Sequence, residues 1–198
     1  MIKTPTGSKT SRAITQEQYT KLIDHTIRSG NLKYGSMLLL MGSRGLRISD
    51  VTRLRVSDVF FASGKIKPAM RIEIKKQKKK LTIQLITKNS TYFVTQLESY
   101  FWLISDRDPS ELLFQGSFKN EVPHSAIKTY LNEYKTLNNI NQLSPHSLRK
   151  TFGRSLWENG VKPEIIQKLF GHQNLNTTMI YLDLQSEDIL SAYDLVNF

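Results

Sequence analysis

The stretch GHQNLNTTMIY runs from Gly171 to Tyr181. Glycine tolerates the left-handed conformation that ends a helix, so Gly171 marks a helix stop and His172 follows it directly. Tyr181 comes nine residues after the histidine, past the paired threonines Thr177 and Thr178. Asn176 is expected to cap the helix that carries Thr178–Leu182. Taken alone, the stretch reads as a solvent histidine and a packed tyrosine. What precedes it changes that reading.

Immediately upstream lies SPHSLRK, Ser144–Lys150. Ser144 is an N-cap and Pro145 a first-turn proline. His146 then falls in the first helical turn, where free backbone N–H groups favour an anion. Arg149, three residues on, shares its face, and the two side chains can meet one phosphate. Far upstream lies GLRISD, Gly45–Asp50, where a glycine-broken loop enters a helix. A guanidinium at Arg47 can grip an oxyanion in two places, and Asp50 sits at i+3. Between these comes KKQKKK, Lys75–Lys80. A flexible turn loaded with the ammonium groups of Lys75, Lys78, Lys79 and Lys80 suits contact with DNA phosphates. Lys150 adds a further cation beside Arg149. Singly, each segment reads more readily as a capped or solvated surface.

The periodicity predicts a mainly α protein with one small antiparallel β-sheet, an α+β arrangement. Thr15 and Gln18 form a capping box for a helix with Tyr19, Leu22, Ile23 and Ile27 inward, ending near Gly30. Further helices are expected at about 33–43, 48–54, 90–104, 123–137, 145–159 and 163–171, with an amphipathic last helix at about 186–196. Strands are expected at 59–62, 69–75 and 81–86. In the last two, Ile72, Ile74, Leu81, Ile83 and Leu85 alternate with polar residues, and the lysine tract forms the tip between them. Gly64 marks a turn.

Lys and Arg number 28 against 17 Asp and Glu, a net charge of +11. That balance invites a polyanion, most often nucleic acid. With no cysteine there is no disulfide framework and no thiolate metal site, and the histidines at 25, 124, 146 and 172 do not cluster at ligand spacing. No apolar run approaches the roughly 20 residues a membrane span needs, and the first residues lack a secretory pattern. The reading is a soluble, cytoplasmic, metal-independent protein.

In this order and spacing, GLRISD, a lysine-bearing hairpin, HSLR, GH and then Tyr181 resemble the catalytic domain of the tyrosine recombinases, the phage-integrase family. The resemblance covers about residues 15–195, with Thr151-Phe152 and the threonine pair in support. It implies that Tyr181 is the nucleophile forming a 3′-phosphotyrosyl link, and that Arg47 and Arg149 clamp the scissile phosphate. His146 would assist proton transfer and bind the phosphate, and His172 would hydrogen-bond it. A hairpin lysine, Lys76 by position with Lys78 as the fallback, would protonate the leaving 5′-oxygen. Asp50 would orient Arg47. The covalent link keeps the phosphodiester energy, so neither ATP nor a metal cofactor is implied.

The implied function is site-specific DNA recombination: integration, excision or inversion. Topoisomerase IB-type relaxation and a non-catalytic DNA-binding regulator are the alternatives. The implied partners are a double-stranded DNA site at the nucleoid and further copies of the chain, a tetramer on DNA and a monomer without it. Residues 1–14 read as a flexible basic tail and 15–198 as the catalytic domain. In the last helix Leu190, Tyr193, Leu195 and Val196 offer a face for a neighbour. Most members carry a helical DNA-clamping domain ahead of this one. The expectation is therefore a short single-domain type, like the invertases of fimbrial switches, or a catalytic fragment.

Overall fold

The structure, a computed structural model, describes residues 11–74 and 79–182. The tail residues 1–10, the tip lysines Lys75, Lys76 and Lys78, and the expected helix at 186–196 with Leu190, Tyr193, Leu195 and Val196 lie outside the described residues.

The capping box at Thr15 forms as expected. Gln18 N–H donates to Thr15 Oγ1 over 3.1 Å and Thr15 N–H to Gln18 Oε1 over 3.0 Å. It opens α1 (Gln16–Arg28), which buries Tyr19, Leu22 and Ile23. The next helix, α2 (Leu32–Arg44), is buried continuously from Gly35 to Gly42. It packs against α1 and against two later helices, α5 (Thr91–Trp102) and α7 (Pro145–Glu158). An apolar helix buried on several sides is what the Leu and Met run of α2 requires.

Gly45 stops α2 with φ +65°. A Cβ there would lie 2.8 Å from Phe152 Cε1 and 2.9 Å from Phe170 Cε1, so glycine is needed for both conformation and space. Two single-turn helices follow, α3 (Ile48–Val51) and α4 (Val56–Val59). The strand expected at 59–62 is therefore mostly absent. Asp58 accepts the Arg55 N–H over 2.8 Å and caps α4, and only Phe60 pairs, in a lone bridge with Ile66. Val56, Val59 and Phe60 are all buried, and their i, i+3, i+4 spacing is the helical signal that competed with β-propensity.

The hairpin is β1 (Ala69–Ile74) paired with β2 (Lys79–Gln84), with Ala69 opposite Gln84 and Ile74 opposite Lys79. Met70, Ile72 and Ile83 face the core, while Arg71, Glu73 and Thr82 face solvent. β2 starts and ends two residues earlier than expected. The ladder ends there because Pro68, opposite Leu85 in this register, accepts the Leu85 N–H over 2.8 Å but has no N–H to return; the Ile86 N–H shares the same carbonyl over 3.1 Å.

Beyond α5 come α6 (His124–Leu137), α7, α8 (Pro163–Phe170) and α9 (Leu175–Leu182). Asn174, not Asn176, caps α9: its Oδ1 accepts from Thr177 N–H over 2.9 Å and from Thr177 Oγ1 over 2.8 Å. A cap side chain reaches the amide three residues ahead, which fits a helix starting at Leu175. Ile14 also departs from the tail reading. It is buried, and its N–H donates to Thr151 Oγ1 of α7 over 3.0 Å. No helix among the described residues is long and apolar enough to cross a membrane.

Candidate active site

The last carbonyls of a helix lack intrahelical partners and carry partial negative charge. Two such ends meet here, those of α2 and α8, each closed by a left-handed glycine, Gly45 and Gly171. Arg149 rises between them from α7. Its guanidinium donates from Nη1 to Gly45 O and from Nη2 to Phe170 O, the latter over 2.9 Å. Arg47 reaches the same Phe170 O from its own Nη2 over 3.3 Å. Two like charges are thus held side by side by helix dipoles. Among the described residues no carboxylate forms an ion pair with either. Asp50 accepts the backbone N–H of Arg47 over 3.3 Å, which fixes where its side chain departs.

Arg149 is only 3% exposed, and its Nε has no hydrogen-bond partner among the described residues. Burial, with Arg47 close by, pushes this guanidinium down to about 10, so it remains a cation at neutral pH.

Tyr181, near the end of α9, lies against this cluster. Its hydroxyl is 3.1 Å from His146 Nδ1. Its ring centre is 5.2 Å from that of His172 and 5.3 Å from that of Phe170, with the Arg149 guanidinium 5.9 Å away. His172 Nδ1 lies 3.0 Å from Thr178 Oγ1, which orients the ring. Five residues spread over 47–181 therefore converge: Arg47, His146, Arg149, His172 and Tyr181. Burial pushes the Tyr181 phenol above its ordinary value, against the opposing pull of Arg149 and Arg47. Burial and the same two arginines push both imidazoles down, His172 to about 4. Both are neutral at pH 7.

The lowered His172 has a consequence for stability. The unfolded chain binds a proton near 6.5 and the folded chain only near 4. Stability is thus intact above about 6.5 and is lost as pH falls toward 4. Between pH 7 and pH 5 the loss should reach about 1–2 kcal/mol, allowing for partial solvent exposure. Melting curves at both pH values check this, and His172→Gln should flatten the dependence.

Lys150 differs from the expected DNA-facing lysine. It is buried, and its Nζ lies 5.6 Å from the Tyr181 ring centre. Helix α7 packs against both α2 and α9. Lys80 is exposed at the start of β2; Lys79 pairs with Ile74 through its backbone. Two hollows adjoin the cluster. One, of about 520 Å³, runs past Arg47, Arg53, Arg71 and His172. The other, of about 370 Å³, runs along His124, Lys128 and Asn132 of α6 to His146. Among the described residues no group of histidines and carboxylates could hold a metal ion. Sequence motifs did not single out the Gly45 and Phe170 carbonyls, because backbone acceptors leave no side-chain signature; the helix-ending glycines were the available sign.

Residues 12–188 match the sequence profile described as the Phage integrase family. A tyrosine recombinase of Thermosipho africanus is 28% identical over 179 residues, which are 90% of this chain and 59% of that protein. The chain thus spans about three fifths of that curated relative. Among solved structures, the XerA recombinase superposes with a TM-score of 0.77 at 20% identity, over 97% of this chain and 68% of the other. The XerH site-specific recombinase, bound to a palindromic difH substrate after cleavage, superposes with a TM-score of 0.75 at 17% identity, over 98% and 55%. The fold, the convergent cluster and a profile match across most of its length place the chain in the phage integrase family.

Proposed function

We propose that this chain is the strand-cutting and rejoining part of a site-specific DNA recombinase that works through a 3′-phosphotyrosyl intermediate. The observation that supports it most is the pairing of a phenol with two guanidinium groups that have no carboxylate partner among the described residues. Such a pair awaits an anion, and a phosphodiester in its transition state gathers charge on its non-bridging oxygens.

In this reading Tyr181 Oη attacks phosphorus. The P–O(Tyr) bond forms as the P–O5′ bond breaks. With its own proton on Nε2, His146 accepts the phenolic proton at Nδ1, 3.1 Å away. Arg47 and Arg149 hold the non-bridging oxygens and His172 adds a hydrogen bond. A hairpin lysine, Lys76 or Lys78, delivers a proton to O5′. Asp50 holds the backbone of Arg47, and the exposed Lys80, with Lys75, Lys78 and Lys79, contacts DNA backbone. Rejoining reverses these steps with a 5′-hydroxyl from a second site, and needs neither ATP nor a metal cofactor.

The substrate is double-stranded DNA, as in the difH complex of XerH. We further propose that residues 15–198 act as the catalytic domain, monomeric without DNA and tetrameric at two paired sites in the cytoplasm. The deciding experiment incubates the protein with nicked duplexes of randomised sequence, in which the cut-off end diffuses away and traps the adduct. A DNA-linked peptide containing Tyr181 is expected. No adduct, or linkage at another residue, removes the proposal; relaxation of supercoils without exchange between two sites would reassign it to a topoisomerase.

A further inference from the structure

Arg44 belongs to no part of the chemistry described so far, yet it is a half-buried cation. Its Nη2 donates to Leu85 O over 2.7 Å and its Nη1 to Ser43 O over 2.8 Å. Its guanidinium carbon sits 3.9 Å from the ring centre of Phe93 on α5. Its Nε is buried without a hydrogen-bond partner among the described residues, and no carboxylate there pairs with it. Taking even a half-buried cation out of water carries a cost that its carbonyl and ring partners offset without any counter-charge. Stability alone is therefore a poor account of this arginine.

Its position does. Arg44 is the last residue of α2; Gly45, next in the chain, gives its carbonyl to Arg149, and Arg47 follows two residues later. Leu85 is the residue at which the second strand of the hairpin leaves the ladder. One guanidinium thus joins the root of the lysine-bearing hairpin to the segment that sets both arginines. We infer that Arg44 is a positioning residue for the leaving-group proton, registering the hairpin lysine against the phosphate site. This inference rests on the recombinase reading above.

The leverage is large. The ladder runs from the Ala69–Gln84 pair to the Ile74–Lys79 pair, five steps of about 3.3 Å or roughly 17 Å. A tilt of about 4° at the root moves the far end by about 1 Å, and misplacement by that distance costs on the order of 10²-fold in rate. The apolar contacts of Met70, Ile72 and Ile83 hold one face, but such contacts are non-directional. The Arg44 hydrogen bond to Leu85 fixes the angle.

The test separates proton delivery from everything else. A duplex recovered by adduct formation from the randomised pool is made in two forms, one with the ordinary bridging O5′ and one with sulfur there. A thiol has a pKa of about 8.5 and leaves without a proton, whereas an alkoxide does not. Arg44→Met should slow adduct formation on the oxygen duplex by about 30- to 100-fold. On the sulfur duplex it should stay within about threefold of the parent, with DNA affinity unchanged. Arg44→Lys should recover part of the oxygen rate. Equal slowing on both duplexes, or slowing on neither, overturns the role. Lys76→Ala or Lys78→Ala should show the same selective rescue and so identify the proton donor. Absence of rescue in both overturns the lysine reading and the role of Arg44 together. Tyr181→Phe should be silent on both duplexes; if it reacts, the recombinase reading itself fails, whatever Arg44→Met does.

Discussion

Arg149→Ala should lower the rate of adduct formation by about 10³- to 10⁴-fold. Two of its N–H groups are committed to Gly45 O and Phe170 O, and that commitment aims the rest of the fork. Its Nε finds no partner among the described residues, and the guanidinium lies 5.9 Å from the Tyr181 ring centre, beside which a non-bridging oxygen would be held. The site is largely buried, so the charge acts through a poorly screening medium. Losing one preorganised donor of this kind typically costs 10²–10³, and here the fixed charge goes with it. Arg149→Lys should recover little. An ammonium is a point charge and cannot span two carbonyls and a phosphate at once.

A structural cost accompanies the kinetic one. Removing the guanidinium leaves the buried Gly45 carbonyl without its donor, at about 1–3 kcal/mol, and leaves Phe170 O with the Arg47 bond alone, offset in part by relief of the buried charge. Cleavage is therefore compared below the melting transition of the variant, with near-ultraviolet dichroism as the check on packing. Arg47→Ala is the companion. Arg47 is less buried and bonds one carbonyl rather than two, so its kinetic loss should come with a smaller change in melting point. Cleavage by folded Arg149→Ala within tenfold of the parent would remove the arginine clamp from the mechanism.

The parts of the fold legible in the sequence were those governed by local physics. The Thr15–Gln18 box, the Gly45 and Gly171 stops and the Ile72/Ile83 alternation all need only a few neighbouring residues to be satisfied, and all formed. The misses share a different cause. Val59 and Phe60 have β-forming side chains, but Asp58 capping Arg55 N–H and the apolar spacing back to Val56 decided for a helical turn. Ile14 and Lys150 were misplaced because burial depends on which helix lies across them, and neither position announces that α7 packs against α2 and α9. In the site, the side chains could be named because their order resembles a family. What holds them could not. The Phe170 carbonyl serves Arg47 and Arg149 together, and only the assembled chain brings a residue at 47 and one at 149 to a carbonyl at 170.

Tyr181→Phe should abolish the covalent adduct, by at least about 10⁴-fold, while DNA affinity stays within about threefold. Only one oxygen is removed, and in this mechanism it is the atom that bonds to phosphorus, so no remaining group can substitute at comparable rate. The ring contacts with Phe170 and His172 persist in phenylalanine. The fold loses the hydroxyl's contacts with His146 and Arg149, worth about 1–3 kcal/mol together, a melting shift of several degrees for a chain of this size. Rate and stability are thereby decoupled, which Arg149→Ala cannot achieve. The same variant decides whose phosphate the phenol attacks. Tyr181 Oη lies 3.1 Å from His146 of its own chain, beside that chain's Arg149, so attack within one subunit is expected. Tyr181→Phe mixed with Arg149→Ala then has no subunit with both an intact phenol and an intact clamp, and the mixture stays silent. Adduct recovered on mixing would instead mean that α9 of one subunit swings its tyrosine into the arginine site of a neighbour.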